Sequence, residues 1–136
     1  MEIFINKKSV ALLIDPDKVN EKTLPEILKT AVCAGSDFIM VGGSLTFRSV
    51  EPVIDLIKSF CSIPLILFPG SLLQLSCKAD FILLLSLISG RNPELLIGNH
   101  VIAAPYLKHV KDKLIPVGYI LIACGSKTSV EYISQT

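Results

Sequence analysis

Five short apolar runs, each stopped by turn-forming or small residues, recur along the chain, and they restrict its fold more than any other feature. They are Val10 to Ile14, Phe38 to Val41, Pro64 to Phe68, Phe81 to Leu85 and Val117 to Ala123. Uninterrupted runs of this length suit strands buried on both faces, as in a parallel sheet coated by helices. Most of the segments between them carry the helical period. Thr23-Leu24-Pro25-Glu26 has capping-box spacing, with Thr23 as N-cap and Glu26 able to reach back to its N–H. Leu24, Ile27, Leu28, Ala31 and Val32 then share one helical face, which Gly35 ends. A second helix enters at Ser49, tolerates Pro52 in its first turn and presents Val50, Val53, Ile54 and Ile57 on one side. Asn92-Pro93-Glu94 opens a third, which Pro105 is expected to interrupt, leaving Tyr106 to Leu114 helical or irregular. Ser129 to Thr136 reads as the start of a helix or as a loop.

Strict alternation of strand and helix calls for parallel pairing with right-handed crossovers. Two architectures satisfy it, an open doubly wound sheet and part of a (β/α)8 barrel. No GxGxxG follows the first run, so a dinucleotide-binding version lacks support. Only Ser71 to Lys78 separates the third and fourth runs, too little for a full helix, and that crossover is expected to be abbreviated.

The 136 residues suit one compact domain. With 51% hydrophobic residues, 18% charged and a net charge of +1, the composition excludes a disordered chain and gives no electrostatic footprint for nucleic acid. A mean hydropathy of +0.61 raises the question of a membrane span. The longest uncharged stretch, Ser59 to Cys77, contains Pro64, Pro69, Gly70 and Gln74 and cannot run as one apolar helix. Met1 to Lys8 shows no secretory pattern, and Cys33, Cys61, Cys77 and Cys124 form no CxxC pair. Reduced, mostly buried thiols in a cytoplasmic protein are therefore expected. His100 and His109 have no ligand-type neighbours and read as solvated or hydrogen-bonded side chains.

Chemistry in parallel α/β folds gathers at the carboxyl ends of the strands. Leu12-Leu13-Ile14-Asp15-Pro16-Asp17-Lys18 and Val41-Gly42-Gly43-Ser44 put a carboxylate and a hydroxyl at two such ends. A carboxylate just past a buried strand needs a cation, a hydrogen-bond donor or water. Magnesium suits Asp15, because it uses one or two carboxylates together with substrate phosphates. Asp-Pro-Asp as a plain turn, with Asp15 accepting backbone N–H groups, is the competing reading. Asp17 and Lys18 read as solvated turn residues, Lys18 also being placed to meet a phosphate. Gly42 and Gly43 let the backbone approach a ligand, and Ser44 offers its hydroxyl to a phosphate or metal, although a simple strand-to-helix turn uses the same residues. Phe68-Pro69-Gly70-Ser71 and Gly125-Ser126-Lys127-Thr128 are rim loops by position. Lys127 is an anion contact or merely exposed, and Arg91-Asn92 are rim residues or a helix cap. No Ser-His-Asp, Cys-His or HExxH arrangement can be assembled. The constellation fits an enzyme that binds a phosphate-bearing substrate through magnesium.

LIDPDK, AGSDFIMVGGS, FPGS, NPELLIGNHVIAAPYLK and GYILIACGSKTSVEYI occur in that order. Together they make the chain resemble the amino-terminal part of the geranylgeranylglyceryl phosphate synthases, a family that includes the bacterial heptaprenylglyceryl phosphate synthases. The resemblance implies a TIM barrel, here incomplete with about five parallel strands, and an atypical third βα connection. Residues 1–136 would form the amino-terminal part of a single prenyltransferase domain. The implied reaction joins a long-chain prenyl diphosphate to sn-glycerol 1-phosphate, giving an ether lipid precursor. Mg2+ would be held by Asp15 and Ser44, with Gly43 and Lys18 as substrate contacts. One branch of the family has a lysine two positions before the metal aspartate; Leu13 stands there in this chain, which argues for the other branch and leaves Leu13 in the core.

The resemblance places the proposed base for the glycerol hydroxyl, and the loops for glycerol phosphate, beyond Thr136. Residues 1–136 therefore offer no catalytic base and are expected to turn over negligibly alone. Five strands would leave the first and the fifth as edges and uncover inward side chains, expected to include Leu12, Ile39, Leu67 and Ile120. A non-catalytic remnant that binds metal or diphosphate weakly, or associates through its edges, is one alternative. Another barrel enzyme acting on a phosphorylated substrate is a further one. The family also implies a cytoplasmic homo-oligomer at full length, without a membrane span, touching lipid only peripherally through its product.

Overall fold

Parallel pairing follows from the connecting segments that return the chain to the same end of the sheet before each new strand. A computed structural model describes residues 8–122 and 125–135. Strands β1 (Ala11–Ile14), β2 (Phe38–Val41), β3 (Leu65–Leu67), β4 (Phe81–Leu87) and β5 (Leu114–Tyr119) form one parallel sheet in sequential order. Helices α1 (Leu24–Cys33), α2 (Glu51–Phe60), α3 (Asn99–Leu107) and α4 (Ser129–Ser134) complete the described structure, with β1 and β5 as the outer strands. No helix among the described residues is long and apolar enough to cross a membrane.

Strand periodicity sorts the apolar side chains between two layers. Ile14, Ile39, Val41, Leu65, Leu67 and Ile82 pack with Leu24 and Leu28 of α1 and with Ile54 and Ile57 of α2. Each such side chain contributes roughly 1.5–3 kcal/mol by leaving water. Phe38, Ile66 and Leu83 form the opposite layer, with Met40, Phe68, Leu85, Ile115 and Val117 against them. The expected inward set is thereby corrected. Ile39, Leu67 and Leu12 belong to the helix-facing layer, and Ile120 lies past β5 and is 61% exposed. A shift of one residue in strand parity moves every side chain to the other face, and the apolar runs carry no polar marker that fixes parity. Leu13, expected in the core, pairs with Met40 and is half exposed.

Helix ends follow local chemistry, with one revision. Thr23 has helical dihedrals and makes no side-chain cap. Asn20 takes over, its Oδ1 accepting the Lys22 and Thr23 N–H groups at 2.9 and 3.1 Å while its carbonyl accepts from Leu24 N at 2.9 Å. The short carboxamide forms this turn without a reach-back from Glu26. At the other end, Gly35 at φ +70° lets Ser36 N donate to Ala31 O at 3.0 Å and Gly35 N to Val32 O at 3.1 Å, a Schellman closure. Ser49 Oγ accepts from Glu51 N at 3.3 Å as α2 begins. Asn92 Oδ1 accepts from Glu94 N at 3.1 Å, ahead of a π-helical turn, Glu94–Gly98, that leads into α3. Pro105 does not interrupt this helix but lies within it; the tightening to 3-10 turns comes later, at Lys108–Lys113. Pro105 is exposed, as is Val101, whose carbonyl loses its helical donor there and can turn to water.

β5 begins at Leu114 rather than Val117, and Pro116 is accommodated opposite Leu84 because this strand is an outer one. Ala123, the end of the expected run, lies outside the described residues, as do Cys124 and Thr136. Cys33 and Cys77 are exposed and Cys61 half-buried, against the expectation of buried thiols. They occupy a helix end and connecting loops rather than strands.

The β3–β4 crossover contains only a 3-10 turn, Leu72–Gln74, as its length required. Polar straps stand where a packed helix would be. Lys78 Nζ lies 2.7 Å from Asp55 and 3.4 Å from Glu51 of α2, and Ser76 Oγ donates to Glu51 at 3.0 Å. Lys113 Nζ donates to the Cys77 and Ala79 carbonyls at 2.9 Å each. The ladder beneath is brief: β3 meets β4 at Ile66–Phe81 and Leu67–Ile82, whereas β4 and β5 pair from Ile82–Leu114 to Leu87–Tyr119.

Candidate functional site

The loops leaving β1, β2 and β3 meet at the carboxyl end of the sheet, where they border a cleft of about 670 Å3. Asp15, Lys18, Gly43 and Ser44 line it together with Ser71, Asn99, His100 and Tyr119, and most of the remaining lining is apolar, including Phe68, Leu72, Leu75, Leu83 and Leu85. The four residues singled out as candidate contacts thus share one cavity.

Each is held by its own turn. Asp15 Oδ1 accepts from Asp17 N at 3.0 Å, its carbonyl accepts from Lys18 N at 3.0 Å, and its Oδ2 lies 3.2 Å from Lys18 Nζ. The turn reading of Asp-Pro-Asp is therefore realised, and it leaves lone pairs on both carboxylate oxygens. Lys18 is 81% exposed, so its ammonium is loosely held and screened. Asp17 corrects the expectation of a solvated turn residue: its carboxylate accepts from Phe47 N at 2.9 Å and Arg48 N at 3.0 Å, pinning the β2–α2 loop to the β1 loop. Arg48 Nη1 closes the same junction by donating to Val19 O at 3.1 Å.

Gly43 sits flat against Asp15. A Cβ there would lie 3.3 Å from both Asp15 Cγ and Oδ1 and 2.9 Å from Thr46 Cγ2, so glycine keeps open a space bounded by the carboxylate. Thr46 Oγ1 beside it is buried without a hydrogen-bond partner among the described residues, an expense that a polar occupant or water would remove. Ser44 Oγ lies 2.7 Å from Ser129 Oγ, where α4 begins. A hydroxyl with one donor and two acceptor positions retains capacity beyond that bond. α4 is fixed by a capping box between Thr128 and Glu131, and by Ser134 O and Ile133 O, which accept N–H groups from Arg91 and Asn92.

Ser129 and Gln74 are the participants that sequence reasoning missed. Gln74 is 2% exposed; its Oε1 accepts from Gly43 N at 3.3 Å and Gly70 N at 3.2 Å, and its Nε2 donates to Gly43 O at 2.7 Å. A glutamine enclosed by leucines, in Leu72-Leu73-Gln74-Leu75, was the available signal. Other candidates stay outside. Lys127 and Arg91 are exposed, Asn92 caps the turn before α3, and His109 is exposed. His100 does line the cleft, its Nε2 lying 2.6 Å from Leu85 O, a hydrogen-bonded side chain as expected.

No group of three or more His, Cys, Asp or Glu side chains converges among the described residues. A cation at this rim would rely on one carboxylate, hydroxyls and ligand oxygens. That is a hard, all-oxygen set of the kind magnesium accepts. The carboxylate-walled space at Gly43, the orphaned Thr46 hydroxyl and the spare capacity of Asp15 and Ser44 all fit such an ion.

Comparison with known proteins bears on the whole chain. The sequence profile of the PcrB family matches residues 3–136. Proteins named geranylgeranylglyceryl phosphate synthase from Chitinophaga pinensis and Spirosoma linguale are 48% and 47% identical over 130 and 131 residues, or 95% and 96% of this chain. The matched regions are 52% and 53% of those relatives, so the chain spans about half their length. The crystal structure of (S)-3-O-geranylgeranylglyceryl phosphate synthase from Thermoplasma acidophilum, in complex with substrate sn-glycerol-1-phosphate, superposes with a TM-score of 0.86 at 36% identity, covering 96% of this chain and 53% of that one. The wild-type enzyme from Thermoplasma volcanium gives 0.83 at 32% identity, covering 93% and 51%.

Proposed function

The chain belongs to the PcrB family, and on that premise we propose that it carries the metal- and diphosphate-binding part of a TIM-barrel prenyltransferase. The reaction proposed joins a long-chain prenyl diphosphate to sn-glycerol 1-phosphate. The observation that carries it is that one cleft is lined both by Asp15, Lys18, Gly43 and Ser44 and by a larger apolar surface. A prenyl diphosphate likewise combines a charged head with an apolar tail.

Asp15 and Ser44 would hold Mg2+, which when bound supplies positive charge to the departing diphosphate. Lys18, exposed beside Asp15, would add a second positive charge near the same oxygens. The apolar wall excludes water from the allylic carbon as its C–O bond to diphosphate breaks. The hydroxyl oxygen of glycerol phosphate then forms the ether bond to that carbon as diphosphate leaves, its proton passing to a base outside residues 1–136. Lipid substrate and product give the protein a reason to meet a membrane surface peripherally, and assembly into a homo-oligomer belongs to the same proposal.

The test is calorimetric titration of the protein with inorganic diphosphate, with and without magnesium. Binding should need magnesium, and Asp15→Ala should weaken it by at least about 10- to 100-fold, the loss typical of removing even a group that only supports a metal ligand. Equal affinity for wild type and Asp15→Ala would refute the assignment.

A further inference from the structure

Gln74 stands apart from the other residues of the rim, because it is absent from the cleft lining and yet hydrogen-bonds one candidate contact, Gly43, and the neighbouring loop at Gly70. Beyond β3 the ladder to β2 has ended, and the backbone groups of the two loops face each other with no strand to pair them. The Gln74 carboxamide fills that place. Its oxygen accepts from Gly43 N and Gly70 N, and its nitrogen donates to Gly43 O, as a short piece of extended backbone would. Its orientation is fixed by chemistry, since two N–H donors face Oε1 and one carbonyl faces Nε2.

The loops are also in backbone contact. A Cβ at Gly70 would fall 2.2 Å from Gly43 O and 2.9 Å from Ser44 Cα. No side chain on Gly70 would fit between them, so their separation is set by glycine and by the Gln74 bonds. Gly43 in turn lies against Asp15, and Ser44 follows directly. The 3-10 turn that carries Gln74 is bounded by Leu72 and Leu75, both lining the apolar part of the cleft. One short segment thus holds the polar rim with its amide and walls the tail region with its leucines.

We infer that Gln74 is a positioning residue: it holds Gly43 and Ser44 at the distance from Asp15 at which a magnesium diphosphate is gripped. The inference rests on the function proposed above. Its expected effect is that of a misplaced binding group, roughly 10- to 100-fold in affinity, because small displacements at such sites are amplified.

The experiment pairs Gln74→Leu with Gln74→Glu. Amide hydrogen exchange on wild-type protein should show slow exchange at Gly43 and Gly70, and Gln74→Leu should accelerate both while amides of β2 and α2 stay protected. Affinity for inorganic diphosphate in magnesium should fall by the factor above. Gln74→Glu restores the missing donor only when protonated, so its affinity relative to wild type, measured at matched pH, should rise as pH is lowered from about 8 to about 5.5. A solely structural role would lower thermal stability without changing affinity, and would give a flat ratio with pH. Diphosphate affinity in Gln74→Leu equal to wild type overturns the inference and leaves the functional reading standing. Wild-type protein that binds no magnesium diphosphate overturns that reading, and the inference with it.

Discussion

Gly42 and Gly35 offer a matched pair in which the same substitution should have very different costs. Both have positive φ, +154° and +70°. A Cβ on Gly35 would meet nothing within 4 Å, so Gly35→Ala incurs only the left-handed backbone penalty, about 1–2 kcal/mol. A Cβ on Gly42 would fall 1.8 Å from Phe68 O and 2.7 Å from Phe68 C. Against an ordinary carbon–oxygen contact of about 3.3 Å, the overlap is about 1.5 Å, and it is with backbone that no rotamer change can move. Relief requires the ends of β2 and β3 to separate, which breaks the bond from Phe68 N to Val41 O, now 2.8 Å. A lost buried backbone pair costs about 1–3 kcal/mol, overpacking a further 1–3, and the glycine-only dihedral about 1–3. Gly42→Ala should therefore cost about 3–9 kcal/mol, comparable to the entire stability of many domains. Urea titration followed by circular dichroism measures both, provided the slope is unchanged. Gly42→Ala within about 1 kcal/mol of Gly35→Ala would refute the close approach deduced here.

Two further outcomes follow from the polar contacts. Asp80 is desolvated, which raises its carboxyl pKa, but hydrogen bonds from Lys58 and Leu65 N and the nearby charges of Lys58 and Lys113 outweigh this and hold it below the usual value. A depressed folded-state value means stability that is present above the unfolded value and lost as pH falls through the folded one. The stability gap between wild type and Asp80→Asn, from urea midpoints, should therefore be constant near neutrality and close below about pH 4; a gap that widens on acidification would contradict the contact. Asp17→Ala should speed amide exchange at Phe47 and Arg48 and cost about 1–2 kcal/mol, and unchanged exchange at both amides would show that the carboxylate does not pin that loop.

Much of the fold could be read in advance because the runs of β1, β2 and β3 are apolar and ended by Asp15, Gly42 and Pro69. β4 instead runs on through Ser86 to Leu87, and β5 contains Pro116 and Gly118, which is why its bounds were the least legible. The stop at Gly35 and the short β3–β4 crossover needed only local rules. Face assignment failed for Leu12, Ile39 and Leu67 because a strand covered on both sides has no polar alternation to reveal parity. The Thr23 cap failed because two side chains, Asn20 and Thr23, competed for the same turn, and the carboxamide had the better reach. At the rim, Asp15 and Ser44 were legible as polar residues at strand ends. Gln74 and Ser129 were not, since their roles depend on loops distant in sequence: Ser44 and Ser129 are 85 positions apart, and Gly43 and Gln74 are 31. Asp17 was misjudged for the same reason, its partners being 30 and 31 residues away.

The brief ladder between β3 and β4 makes the sheet a pair of plates joined by a narrow seam. One plate is β1, β2 and β3 under α1 and α2; the other is β4 and β5, zipped together from Ile82–Leu114 to Leu87–Tyr119. Between β3 and β4 the paired rungs are Ile66–Phe81 and Leu67–Ile82, preceded by Asp80 N donating to Leu65 O at 3.0 Å and Leu65 N donating to Asp80 Oδ2 at 2.9 Å. Phe68 belongs to the first plate, Leu83 and Leu85 to the second, and all three wall the same cleft. Both apolar layers cross that seam, Ile82 packing with Leu65 and Leu67 and Leu83 with Ile66, so any fraying that changed the bore of the cleft would also open the core on either side of the sheet.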